Sequence, residues 1–170
     1  MIVAGIDPGL GGGVCVVEIE DGKLFLRMLR ETPVSWTMVN KGKRRVYDVR
    51  AMWNLLCMLD PELVALVLLE KQAPRKLDGK VATFSTGFGF GVWRALLVAR
   101  GLSHRIVEPR LWRSVLSVPK LKGIAGKHAI HDIVMDRMPF AEIPRALADA
   151  AALALAALTT PPAPADAQSA

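Results

Sequence analysis

The chain has 170 residues, 52% of them hydrophobic, with 22 Lys plus Arg against 16 Asp plus Glu and a formal charge of +6. That length and apolar content suit one domain with a sizeable core and exclude a disordered polar chain. Only two cysteines, Cys15 and Cys57, exclude a disulfide scaffold, and the basic balance directs attention to an acidic partner, nucleic acid or a membrane surface.

The first seven residues carry no basic region and reach a charge at Asp7, unlike a secretory signal. Residues 2–6 predict a buried strand, broken by Asp7-Pro8-Gly9 and the run Gly11-Gly12-Gly13. Residues 14–19 predict a second strand, Asp21-Gly22 a hairpin turn, and residues 24–29 a third strand, the three pairing antiparallel. Residues 32–47 are polar, hold Lys41, Lys43, Arg44 and Arg45, and read as an exposed loop or strand edge. Asp48 is placed to cap a helix whose stripe is Val49, Met52, Trp53, Leu55, Leu56 and Leu59, ended by Pro61. Residues 63–69 are continuously apolar, as in a central strand covered on both faces, and stop at Glu70. A basic loop with Lys71, Arg75, Lys76 and Lys80 leads to a long helix, about residues 82–100, ending before Gly101. Its Gly87, Gly89, Gly91 and Ala95 suggest a backbone packed close to a neighbour.

Residues 104–107 predict a short strand, Leu111-Trp112-Arg113 opens a short helix, residues 119–126 form a loop, and residues 127–138 and 144–158 predict the last two helices. Residues 159–170, rich in Pro and Ala, predict a disordered tail, leaving residues 1–158 as one domain. The longest apolar stretch, Ala146 to Leu158, is interrupted by Asp149 and falls short of the ~20 residues a bilayer span needs. The expectation is a cytoplasmic protein without a membrane partner, with both cysteines as small core residues. Its fold class is α/β: a mixed five-stranded sheet, three antiparallel strands and then strands alternating with helices, flanked by those helices.

Three acids stand where apolar surroundings give no local reason for them. Asp7 follows the first strand, Glu70 ends the central one, and Asp149 is the only charge in the almost wholly apolar helical run from Ala146 to Leu158. A lone carboxylate in such a helix must be paired, protonated or metal-bound. Bland readings exist for each: Asp7 as a turn starter, Glu70 paired with Lys71 or Arg75, Asp149 paired with Arg145. Jointly the acids can meet at one sheet edge, where hard oxygen ligands select Mg²⁺ or Mn²⁺.

Gly5-Ile6-Asp7-Pro8-Gly9, the acid in Leu68-Leu69-Glu70, Thr83-Phe84-Ser85-Thr86-Gly87-Phe88-Gly89, Val107-Glu108-Pro109-Arg110-Leu111-Trp112-Arg113, the lysines from Lys120 to Lys127, and Ala148-Asp149-Ala150 follow one another in order. Together, over about residues 2–158, they resemble the RuvC-like Holliday-junction resolvases of phages and prophages, within the retroviral integrase/RNase H superfamily. The resemblance implies an RNase H-like fold and a dimeric nuclease that cuts four-way or branched DNA with two metal ions. Asp7 would bridge both metals, Glu70 and Asp149 would hold one each, and Lys122 and Lys127 would lie near the scissile phosphate.

One departure stands out. The family's fourth metal ligand, an Asp or His three residues before the last Asp or a little earlier, falls on Ala146, preceded by Pro144-Arg145; Glu142, Asp132 and Asp136 are the nearest substitutes. The basic residues Lys71, Arg75, Lys76, Lys80, Arg110, Arg113, Lys120, Lys122 and Lys127 are the candidate DNA contacts. Phe84, Phe88, Phe90 and Trp93 cluster early in the long helix, which in the family lies at the dimer interface. His104, His128 and His131 need no catalytic role. The competing readings are a catalytically weak junction-binding protein, a nuclease for other branched or flap DNA, and an actin/hexokinase-like ATP-binding lobe, for which a second Asp-x-Gly phosphate loop is missing.

Overall fold

The computed structural model describes residues 1–39, 42–73 and 79–161. The expected tail falls almost wholly outside them, as do Lys41, Arg75 and Lys76. The strands are β1 (Ile2–Asp7), β2 (Gly13–Glu20), β3 (Lys23–Glu31), β4 (Val34–Val39), β5 (Gly42–Tyr47), β6 (Val64–Glu70) and β7 (His104–Val107). The helices are α1 (Val49–Cys57), α2 (Lys80–Arg100), α3 (Pro109–Val115), α4 (Gly123–Arg137) and α5 (Ala148–Ala157), the last preceded by a single 3₁₀ turn, Arg145–Leu147.

Five strands form one sheet in the order β3-β2-β1-β6-β7. The β1–β2 and β2–β3 pairs are antiparallel, while β6 pairs parallel with both β1 and β7. This is the α/β mixed sheet expected from the sequence. Side chains alternate across it. Val3, Cys15, Val17, Leu66 and Leu68 pack on one face with α3, α4 and α5. Ala4, Ile6, Val14, Val16, Val67 and Leu69 pack on the other with α1 and α2. Burial of both faces explains why β6 carries no polar alternation.

The local signals act as expected at several boundaries. The Asp48 carboxylate accepts the Ala51 N–H at 3.0 Å and caps α1. Gly101, at φ 72°, closes α2 in the left-handed conformation that glycine adopts without strain. In α5 every residue except Asp149 is buried. The helix lies so close to the sheet that a side chain at Gly5 would run into the backbone of Ala150 and Ala154, which is why this helix is built of alanine.

Four expectations need correction. Residues 32–47 do not form a loop; β4 and β5 pair as a separate two-stranded hairpin, its strand alternation obscured by cations on both of its faces. α4 starts at Gly123 rather than residue 127, because Gly126 packs directly under the Leu121 carbonyl and is a close-approach residue instead of a breaker. Of the small residues in α2, only Gly89 meets a neighbour, the Tyr47 ring; Gly87 and Gly91 face open space and Ala95 is exposed. Cys57 is exposed at the end of α1, and only Cys15 is core. Among the described residues α2 is also the one helix long and apolar enough, by length and composition, to cross a membrane. Scattered basic residues hide this from a search for uninterrupted apolar runs. Trp93 and Leu97 of α2 are fully buried in the second core layer.

Candidate active site

β1 and β6 run parallel with Ile6 opposite Leu69, so Asp7 and Glu70 leave the two strands side by side at the same sheet edge. α5 packs across β1 and carries Asp149 in its first turn. The three acids line one open cleft of about 820 Å³. The same cleft is lined by Lys71, Gln72, Glu108, Arg110, Arg113, Lys127, Arg145 and Ala146.

Each acid is held differently. The Asp7 carboxylate accepts the Gly9 N–H at 3.1 Å, and Gly12 lies so close behind it that a side chain there would displace the acid. Glu70 accepts the Trp112 indole N–H at 3.0 Å on one oxygen and the Gln72 amide at 2.9 Å on the other. Among the described residues it forms no ion pair with Lys71, which sits 3.5 Å from Glu108; Arg75, the other expected partner, lies outside them. Asp149 is not in an ion pair among the described residues, and Arg145 instead donates to His128 Nε2 at 3.3 Å.

The electrostatics follow from this packing. Burial, reinforced by the charges of Asp7 and Asp149, pushes Glu70 up to about 7, against the opposing Trp112 hydrogen bond and Arg113. Burial, with repulsion from Asp149, also raises Asp7, against the Gly9 N–H and Lys127. Asp149 is raised by burial against the pull of Arg113 and Lys127. At all three carboxylates burial outweighs the pull of the nearby cations. A partly buried all-oxygen donor set is of the kind that hard divalent cations such as Mg²⁺ or Mn²⁺ prefer. It is not a closed cage: among the described residues no three acid, His or Cys side chains stand close enough to enclose an ion.

Ala146 sits exposed on the turn before α5 and lines the cleft beside Asp149. A methyl group thus occupies the place where the resemblance calls for a further ligand. Glu142, Asp132 and Asp136 are exposed and do not line the cleft.

The candidate basic residues divide into groups. Lys71, Arg110, Arg113 and Lys127 line the cleft. Glu108 engages two of them, Arg110 at 2.8 Å and Lys71 at 3.5 Å. Arg113 lies over the Trp112 ring, 5.1 Å from its centre. Lys80, Lys120 and Lys122 are exposed but outside the cleft lining; Lys122 immediately precedes α4, while Lys127 lies one turn inside it. Arg75 and Lys76 lie outside the described residues. Sequence reasoning did not find Gln72 as a Glu70 partner or Arg145 as a cleft residue. Trp112 was visible only as part of a motif, and Gln72 had no signal. Of the histidines, His131 Nε2 donates to the Ile143 carbonyl at 2.9 Å, and His104 Nδ1 lies 3.0 Å from the Leu102 carbonyl. Both are structural contacts.

No protein-family model and no curated protein matches the sequence. Solved structures do match. A structure described as T. thermophilus RuvC in complex with Holliday junction substrate is 19% identical, with a TM-score of 0.63 over 92% of both chains. A second Thermus thermophilus RuvC structure is 23% identical, with a TM-score of 0.60 over 92% of both chains. The chain has the RuvC-like, RNase H-like fold.

Proposed function

We propose that this protein is a divalent-metal-dependent endodeoxyribonuclease that cuts branched DNA, four-way junctions foremost. The observation that carries the reading is that Asp7, Glu70 and Asp149, all raised by burial, line one cleft together with Arg113, Lys127 and Arg145. It lies on the fold of a protein seen with a Holliday junction substrate.

Asp7, Glu70 and Asp149 would hold the metal. When bound, two such ions supply an activated water and neutralise charge on the reacting phosphate. The chain's own residues set the stage. Trp112 and Gln72 each donate to one Glu70 oxygen and fix the carboxylate's direction, leaving lone pairs free on both atoms. The Gly9 N–H does the same for one oxygen of Asp7. Lys127 and Arg113, which already act electrostatically on these acids, draw a phosphodiester into the cleft. Lys80, Lys120 and Lys122, exposed beyond it, would contact phosphates further along the DNA, as Lys71 and Arg110 would at its rim.

We further propose a homodimer through α2. Val81, Phe84 and Phe88 are exposed there, at 58, 72 and 46%. A twofold dimer would present two clefts to a junction of matching symmetry.

Ala146 favours a second reading, a junction-binding protein with weak cleavage. One assay separates the two: purified protein with a four-way junction and a matched duplex, in Mg²⁺, Mn²⁺ or EDTA. Symmetric nicks confined to the junction, lost with EDTA and in Asp7→Asn, are expected for the nuclease. Tight junction binding without nicks supports the binder. Absence of both overturns both readings.

A further inference from the structure

The β4–β5 hairpin has no part in the carboxylate cleft, yet its outward face is chemically distinctive. Opposed residues share a face, so the pairs Trp36–Arg45 and Met38–Lys43 put an indole, a thioether and two cations side by side. Trp36 is 64% and Met38 72% exposed, and Lys43 and Arg45 are exposed as well. No acid occurs between Glu31 and Asp48, and no ion pair among the described residues engages these cations. An exposed indole costs solvation without stabilising the core, and nothing among the described residues covers it.

The hairpin is also joined to the cleft. The Tyr47 hydroxyl donates to the Pro8 carbonyl at 3.1 Å, tying the end of β5 to the loop that carries Asp7. A hollow of about 560 Å³ contains Arg44 and Tyr47 together with Gly9 and Gln72, and these last two also line the carboxylate cleft. A polyanion lying in the cleft can thus continue towards the hairpin without crossing an acidic surface on it.

We propose that this face is a nucleobase-stacking site: an unpaired base of single-stranded or branched DNA stacks on Trp36, and Lys43 and Arg45 hold the flanking phosphates. The site rests on the DNA-binding reading above and adds a preference for unstacked bases that phosphate contacts in the cleft cannot supply.

The test measures binding of the full chain, in EDTA, to labelled oligo-dT, a four-way junction and a duplex. The proteins are wild type, Trp36→Ala, Trp36→Phe and Lys43→Ala/Arg45→Ala. Loss of one stacking partner is expected to weaken oligo-dT and junction binding roughly ten-fold or more and duplex binding less than about two-fold. Trp36→Phe should recover most of the loss. Removing the two cations should weaken all three DNAs and lower the salt slope by about two. Equal effects of Trp36→Ala on every DNA, or none, overturn the proposal. So does a Trp36→Ala change that shifts the sedimentation of the free protein, or that abolishes binding to phosphatidylserine vesicles while DNA binding stays intact. Wild type that binds no DNA removes the nuclease reading as well. Wild type that binds the junction as tightly as Trp36→Ala removes only the stacking site.

Discussion

At the scale of single residues, Glu70 is the acid held most tightly in the cleft, by Trp112 on one oxygen and Gln72 on the other. Free glutamate titrates near 4.5, and in the metal-free fold Glu70 holds its proton up to about 7. The folded state therefore binds this proton more tightly than the unfolded chain does. Its stabilising effect is complete below about 4.5 and is lost as pH rises through 7. Asp7 and Asp149 shift in the same direction. Metal-free Glu70→Gln is therefore expected to lose less stability than wild type over that interval. The difference is on the order of 3 kcal/mol at most, read from urea unfolding in EDTA at stepped pH. Added Mg²⁺ should stabilise wild type more than the variant; equal pH slopes would remove the assignment. Ala146 offers the complementary test. Its side chain faces the cleft beside Asp149, so Ala146→Asp supplies a further hard oxygen ligand. It should lower the Mg²⁺ concentration needed for half-maximal cleavage and for thermal stabilisation.

At the scale of elements, the contact between β1 and α5 decides whether the cleft exists. A methyl group at Gly5 would overlap the backbone of α5, and backbone cannot rotate away. Gly5→Ala should destabilise the protein by about 3 kcal/mol or more, at the upper end of overpacking costs, and displace Asp149 with its helix. Gly87→Ala and Gly91→Ala are the controls within α2. Neither added carbon meets an atom, so each should gain up to about 1 kcal/mol of helix propensity. Loss of dimerisation in either, with stability raised, would place that residue in the interface. The sequence marked both kinds of glycine in the same way. Its composition shows that a side chain is missing, and only the facing surface shows whether the space was needed.

At the scale of the whole molecule, the positive charge is unevenly spent. Glu108 engages Lys71 and Arg110, while Arg113 and Lys127 face the acids. Junction affinity is therefore expected to fall steeply with salt. Lys127→Ala should reduce the slope by about one and reduce cleavage more than binding, whereas Lys71→Ala, a rim contact shared with Glu108, should weaken binding modestly and leave single-turnover cleavage little changed. Fluorescence anisotropy over a salt series, with single-turnover cleavage alongside, checks this; equal effects of the two changes would contradict it.

The sequence by itself determined the five strands of the main sheet, the antiparallel pairing of the first three, the interior position of β6 and the three isolated acids. Each is written locally: in unbroken apolar runs, in turn residues at their ends, and in a carboxylate where no solvated face exists. The mixed sheet follows from those runs. The hairpin at Val34–Tyr47, the start of α4 and the exposure of Cys57 were not legible, because each depends on which neighbour covers which face. Only the tertiary structure placed Asp7 beside Glu70, through the parallel register of β1 and β6, and aimed Trp112 and Gln72 at that glutamate. It also separated Lys127, inside the cleft, from Lys122 outside it. The physical reason is that hydrophobic period and turn chemistry act over a few residues. Burial, charge convergence and hydrogen-bond partnership arise between segments tens of residues apart, and no local pattern records them.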